Sequence, residues 1–209
     1  MEKEFIYDNG DRYLGEEVNG KRNGKGTYYF VNGDIFNGIW LEDIINGYGS
    51  YKFSNGDNYD GNFVNGKFEG RGKYYYANGN IYDGEWKAGQ KSGSGIMQFA
   101  FGDIYSGQWA NDNFNGVGKL AFAGRSNYYD GNWKNGLKNG HGVALFANGE
   151  KYDGNFVNNK MNGKGIYFYS NGDRFEGIWV NDEMNGVGNY IRSSGAIENQ
   201  TYDMGKRIS

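Results

Sequence analysis

The chain has 209 residues, with 22 Lys and Arg against 25 Asp and Glu, a formal net charge of −3, no cysteine and no proline. Those counts exclude disulfides, thiolate metal sites and cysteine nucleophiles, and basic residues scattered among acidic ones leave no polybasic run to advertise nucleic acid or an anionic membrane. The hydrophobic fraction is 37%, and 18% of the chain is aromatic, so large rings must supply most of the buried area, at about 150 to 250 Å² each.

The opening stretch, MEKEFIYDNG, has no apolar core of a signal peptide. No later stretch approaches the roughly 18 apolar residues of a membrane span. A soluble, cytoplasmic protein is expected. Within this stretch Phe5 and Tyr7 alternate just before Asn9-Gly10, which makes residues 1–10 half of a unit that then recurs in full.

From residue 11 to 195 a 23-residue unit repeats eight times. It is clearest over residues 59–81, YDGNFVNGKFEGRGKYYYANGNI. An aromatic anchor falls at Tyr13, Phe36, Tyr59, Tyr82, Tyr105, Tyr129, Tyr152 and Phe175, and all but one of the steps are equal. Each anchor is followed two residues on by a glycine, such as Gly61 in the third copy, and in all copies but the first, where Glu17 stands, by a second ring such as Phe63 or Trp86. A Gly-x-Gly pair (Gly70, Gly72), alternating rings (Tyr74, Tyr76) and an Asn-Gly (Asn78, Gly79) complete the unit. A fixed period of this length marks a quasi-one-dimensional array.

Period-two alternation predicts two strands per unit, with Tyr82, Gly84 and Trp86 on one face and Asp83 and Glu85 on the other. Asn-Gly between units is the chemistry of a tight hairpin with both turn residues at positive φ, and a longer turn, Asn65 to Glu69, is expected inside the unit. The fold class that results is all-β: an elongated, single-layer antiparallel meander of about eight hairpins and about 16 strands, twisted and curved, with rings laid over bare glycines. The single 24-residue step inserts a residue into Ala123-Gly124-Arg125-Ser126-Asn127, which a longer hairpin loop absorbs. Residues 196–209 read as a degenerate C-terminal cap, with Glu198 in the anchor position and Gln200 in place of the glycine.

These motifs resemble the MORN repeat, and the resemblance covers nearly the whole chain. Proteins made almost wholly of such repeats are associated, as a family, with cytoskeletal assemblies, including axonemes, radial spoke heads and basal complexes of protists. The resemblance therefore implies a non-catalytic interaction scaffold, associated with the cytoskeleton and most of all with a cilium or axoneme. The family is also linked to phosphoinositide or membrane-surface contact, which is the alternative, and to the targeting of enzymes. The chain departs from the family before the Gly-x-Gly pair, where His is frequent and Asn23, Asn46, Glu69, Ser92, Asn115, Asn139, Asn162 and Asn185 stand here.

No catalytic residue, metal site or cofactor is expected. The single histidine, His141, sits between two glycines on the polar face. Gly-x-Gly without a following helix is no dinucleotide cradle. The acids beside the anchors (Asp60, Asp83, Asp130, Asp153, Glu176) form a solvated row without the loop spacing of a calcium site. The candidate partner-binding surface is the aromatic trough: Tyr59, Phe63, Tyr82, Trp86, Tyr105, Trp109, Tyr129, Trp133, Tyr152, Phe156 and Trp179, partly exposed on an open sheet and holding a protein segment. The opposite face grows apolar toward the C-terminus (Val143, Leu145, Ile166, Phe168, Ile178, Val180, Val187, Ile191), where self-association as a homodimer, there or at the array ends, is a further expectation.

Overall fold

The alternating runs are strands throughout the computed structural model, which describes residues 3–124 and 126–209. Met1 and Glu2 of the half unit, and Arg125 of the longer connection, lie outside the described residues. Among the described residues there is no helix.

The chain divides into two compact units. The first, Met1–Ala100 with Ala110–Asp112, holds β1 (Lys3–Ile6), β2 (Arg12–Val18), β3 (Lys21–Tyr29), β4 (Ile35–Leu41), β5 (Ile44–Lys52), β6 (Asn58–Val64), β7 (Lys67–Tyr75), β8 (Ile81–Lys87) and β9 (Gln90–Gln98). Each of these pairs antiparallel with the next. The second, Phe101–Trp109 with Asn113–Ser209, is built on β10 (Ile104–Ala110), β11 (Asn113–Ala121), β12 (Tyr128–Lys134), β13 (Leu137–Leu145), β14 (Lys151–Val157), β15 (Lys160–Phe168), β16 (Arg174–Val180), β17 (Glu183–Ile191), β18 (Ile197–Asp203) and β19 (Lys206–Arg207). From β11 onward every consecutive pair is again antiparallel. The all-β antiparallel meander of hairpin repeats is thus the observed fold. Its 19 strands exceed the expected 16 because β1 precedes the eight hairpins and β18 and β19 follow them.

The turn assignment is reversed from the sequence expectation. Inside a repeat, the link is a two-residue turn, Asn65 (φ 50) and Gly66 (φ 73), closing Val64 onto Lys67. This is where both turn residues are left-handed, the geometry that matches strand twist. Between repeats, only the glycine of Asn55-Gly56 has positive φ (95). There Gly56 N donates to Phe53 O at 3.0 Å and Phe53 N to Asp57 O at 2.9 Å, a wider loop in which Asn55 serves through its side chain, accepting from Asp57 N at 2.9 Å. Asn-Gly spells both, and in the wider loop the asparagine side chain accepts from the backbone N–H two residues on.

The two glycines of Gly-x-Gly serve different ends. Gly70 has φ 67 and lies in the bulge of β7, where the register jumps from Gly61↔Gly72 to Phe63↔Phe68. Gly72 has ordinary backbone, but a Cβ there would land on the ring and hydroxyl of Tyr59. Tyr59 crosses Gly61 and Gly72 and donates to Asn62 O at 3.0 Å, a carbonyl left free at the bulge. The same bond recurs from Tyr13 to Glu16 O (2.7 Å), Tyr105 to Gln108 O (2.8 Å) and Tyr129 to Asn132 O (2.9 Å). Burial of the ring and rescue of an orphan acceptor are one event.

Gly72→Ala is therefore expected to displace Tyr59 and cost about 1 to 3 kcal/mol by overpacking. Gly66→Ala, with open space around it, pays only left-handed backbone strain, roughly 1 kcal/mol. Urea-unfolding midpoints that rank Gly66→Ala as the more damaging would refute the ring-crossing account.

Candidate functional site

The glycine-bearing face carries two tiers of rings. The lower tier is the set named from sequence. Tyr59, Tyr82, Tyr105, Tyr129 and Tyr152 are fully buried, and Phe63, Trp86, Trp109, Trp133, Phe156 and Trp179 show at most 5% of their surface. They interlock edge to face, as in Tyr59–Trp86 at 5.5 Å and 89° and Tyr152–Trp179 at 5.4 Å and 80°. Trp86 Nε1 donates to Gly72 O at 3.1 Å and Trp133 Nε1 to Gly118 O at 2.8 Å; the buried Trp179 Nε1 has no hydrogen-bond partner among the described residues. The expected partial exposure is absent: the following strand sets a further side chain beside each of these anchors, a ring in Tyr74 and Tyr167 but Met97 and Ala144 opposite Tyr82 and Tyr129.

That upper tier is the accessible aromatic surface. In the first unit it runs Tyr7, Tyr28, Phe30, Tyr51, Phe53, Tyr74, Tyr76, with centroids 5.7, 4.6, 5.8, 4.4, 5.9 and 4.4 Å apart in turn. Apart from buried Tyr28 and exposed Tyr7, its rings are half-buried. Met97 takes the corresponding place in β9. In the second unit a shorter ladder runs Phe146, Tyr167, Tyr169, Tyr190, at 5.8, 5.1 and 5.7 Å.

Before six of the eight anchors a carboxylate two residues ahead of the ring ties repeat to repeat. Asp57 accepts from Tyr74 Oη at 2.8 Å and from Ala77 N at 2.6 Å, reaching one turn further along. Asp34 does the same with Tyr51 (3.0 Å) and Ser54 N (2.8 Å), Asp11 with Tyr28 (2.7 Å) and Val31 N (2.8 Å), and Asp173 with Tyr190 (2.7 Å) and Ser193 N (2.8 Å). Asn80 keeps the backbone bond alone, to Ala100 N at 2.9 Å. Beyond the longer connection Asn127 stands in this place and its buried Oδ1 has no hydrogen-bond partner among the described residues. Sequence reasoning missed the staple. Its signal was the Asn-Gly-Asp triplet with a tyrosine 17 residues on, as from Asp57 to Tyr74.

Hydrogen bonds from Tyr28 first, then Val31 N and Asn9, hold the Asp11 carboxyl below its ordinary range, and Tyr190 does the same for Asp173. At Asp34 and Asp57 burial is the largest influence and pushes upward, but the bonds from Ser54 and Tyr51, or Ala77 and Tyr74, outweigh it. Burial, and then the bond to Asp11, raises the Tyr28 hydroxyl to about 12.

Nine residues after each anchor, a variable side chain lies against the rings. Phe68 stacks on Tyr59 at 3.8 Å and Phe114 on Tyr105 at 3.7 Å. Arg22 lies 4.3 Å over Trp40 and 4.8 Å over Tyr28, and Lys138 5.0 Å over Tyr129. Desolvation there lowers the lysine's pKa. On the polar face the acids beside the anchors meet cross-strand bases, as in Lys73–Asp83 at 3.8 Å, and exposed His141 lies 3.2 Å from Asp153. The apolar residues there are interrupted, with Asp153 paired between Val143 and Ile166 and Glu176 beyond.

The family model described as "MORN repeat" matches residues 13–35, 36–58, 59–81, 82–103, 105–126, 129–151, 152–174 and 175–197. No curated protein matches the chain. Among solved structures, the TCP10 domain of Danio rerio CPAP, in complex with a peptide of Danio rerio STIL, is similar at 11% identity and TM-score 0.52, over 97% of this chain and 99% of that one. The SAS-4 (dCPAP) TCP domain of Drosophila melanogaster, in complex with a proline-rich motif of Ana2, is similar at 15% identity and TM-score 0.37, over 96% and 90%. The first likeness shows a shared fold.

Because these carboxyls titrate below their unfolded-state value of about 3.9, their stabilisation is complete above roughly pH 5 and is lost as the pH falls through the folded-state values. The double variant Asp34→Asn, Asp57→Asn is expected to melt lower at neutral pH but to lose less on acidification than the parent. Thermal melts from about pH 7 to pH 3 check it, and parallel curves for the two proteins would remove the staple's role.

Proposed function

The chain belongs to the MORN-repeat family, and on that footing we propose that it is a non-catalytic scaffold that holds a segment of a partner protein on its ringed face. The observation that carries this is the half-buried upper ladder. Aromatic surface rigidly mounted on hydrogen-bonded strands is what protein-binding anchors require, because little side-chain freedom remains to be lost on docking. The eleven lower rings form the floor beneath the contact. A peptide-bound structure of the same fold, the Danio rerio CPAP domain with a STIL peptide, supports the reading that such a sheet can hold a peptide.

The assembly is read as cytoskeletal and cytoplasmic, on the strength of what MORN-array proteins do as a family. Residues 11–195 form the working array in this reading, with 1–10 as a half repeat and 196–209 as a cap.

Partners purified from the native source with the full chain are expected to be lost with Phe30→Ala, Phe53→Ala and kept with Val187→Ser on the polar face. Quantitative mass spectrometry of the bound fractions measures this. Identical partner sets for all three proteins would refute the ladder as the binding surface, and salt-sensitive co-sedimentation with phosphoinositide vesicles in place of protein capture would turn the reading toward a membrane.

A further inference from the structure

Resting on that reading, the geometry of the first unit narrows the occupant, and we infer that its ladder from Tyr7 to Tyr76 takes a basic, proline-rich segment of a partner protein in the polyproline II conformation. The argument starts from pitch. Equivalent rings, Tyr28, Tyr51 and Tyr74, stand on β3, β5 and β7, two strands apart, so they recur about every 9.5 Å. A polyproline II helix advances about 9.3 Å in three residues and returns the same face to the surface each time.

The other conformations fail this test. An extended strand also covers the step in about three residues, but its side chains alternate, so positions three apart point to opposite sides. An α-helix covers it in about six residues, near one and three-quarter turns, so its contact face rotates away from the ladder at each step.

Hydrogen-bonding capacity points the same way. Three of the ladder's tyrosine hydroxyls are already donated, Tyr28 to Asp11, Tyr51 to Asp34 and Tyr74 to Asp57, Tyr76 Oη accepts from Lys91 Nζ at 3.1 Å, and Phe30 and Phe53 have no hydroxyl. A segment lying here meets ring faces and few free polar partners. Proline suits such a surface because it has no backbone N–H to leave unsatisfied.

Charge sets the remaining character of the occupant. The turns along the ladder, residues 8–11, 31–34, 54–57 and 77–80, contain Asp8, Asp11, Asp34 and Asp57 and neither lysine nor arginine. Lysine or arginine between prolines meets a line of carboxylates, two in the first turn and one in each of the next two. The chain's own Arg22, 4.8 Å over Tyr28 and 6.0 Å over Tyr7, already shows a cation resting on these rings.

The test titrates the full chain with fluorescein-labelled peptides of about twelve residues, four turns of polyproline II: repeated Pro-Pro-Lys, Gly-Gly-Lys and Pro-Pro-Glu, and a lysine-matched amphipathic helix. The Pro-Pro-Lys peptide is expected to bind at least about tenfold more tightly than each of the others, a difference of about 1.4 kcal/mol. Phe30→Ala and Phe53→Ala, each checked for an intact thermal transition, are expected to weaken it about tenfold, and Phe146→Ala on the second unit's ladder to leave it unchanged. Equal binding of Pro-Pro-Lys and Gly-Gly-Lys, or of Pro-Pro-Lys and Pro-Pro-Glu, overturns the inference. So does equal loss with Phe146→Ala. If the helical peptide binds best and is lost with Phe53→Ala, the ladder is a protein-binding surface of another specificity and only this inference falls; if no peptide binds, both readings fall.

Discussion

One contact repeats through both units and sets the terms for everything else: an aromatic ring lying across two glycines on neighbouring strands. Tyr59 occupies the volume where Gly61 and Gly72 would carry Cβ atoms, so a sheet with only one layer acquires a close-packed lower tier without a second sheet above it. Glycine inside a strand ordinarily weakens it by backbone entropy and missing contacts. Here the ring restores the contacts, and its hydroxyl caps the carbonyl that the bulge at Asn62 leaves free. The bulge is in turn made by Gly70 at positive φ. Ring, two steric glycines and one conformational glycine are therefore a single device, and the fixed 11-residue step from anchor to Gly-x-Gly follows from it.

A ring committed to crossing glycines lies flat and low, which leaves room for the alternating rings of the next strand to rest on it. Those rings cannot be buried in the same way, because nothing beyond them covers them. Their hydroxyls are held by the carboxylates of Asp11, Asp34 and Asp57, and the same carboxylates take backbone N–H groups from the next turn. The accessible surface is thereby fixed to the scaffold by charge-assisted bonds. The lower tier is the buried core and the upper tier the accessible rings, and an acidic side chain joins the two wherever it faces a ladder tyrosine, as at Asp11, Asp34 and Asp57.

Much of this was legible in the sequence. Period-two alternation, the equal spacing of anchors and rings paired with glycines gave the strands, their direction and the ring-over-glycine packing. The turns were misassigned because Asn-Gly is compatible with two hairpin geometries; in the wider one the asparagine side chain accepts from the backbone N–H two residues on, as Asn55 does from Asp57 and Asn78 from Asn80. The exposure of the rings was misjudged for a related reason. Spacing tells which residues share a face, but Tyr59 and Tyr74 share theirs, and which of two rings lies beneath the other depends on side-chain direction. Only the glycines opposite Tyr59 reveal that it lies down while Tyr74 stands above.

The same device explains where the molecule is free to vary. The crossed and bulged glycines are the same from one repeat to the next, whereas the position nine residues past the anchor is Arg22, Ile45, Phe68, Lys91, Phe114, Lys138, Met161 and Met184 in succession. Every one of these side chains lies on the ringed face, and several contact the rings directly, by stacking in Phe68 and Phe114 and by cation–π contact in Arg22 and Lys138. The side chain there sets the charge and shape of the ringed face beside the crossing ring, and in Phe68 and Phe114 it rests directly on that ring. Variation in charge and shape on the ringed face is therefore concentrated at one position of the repeat, while the glycines crossed by the anchor ring recur unchanged.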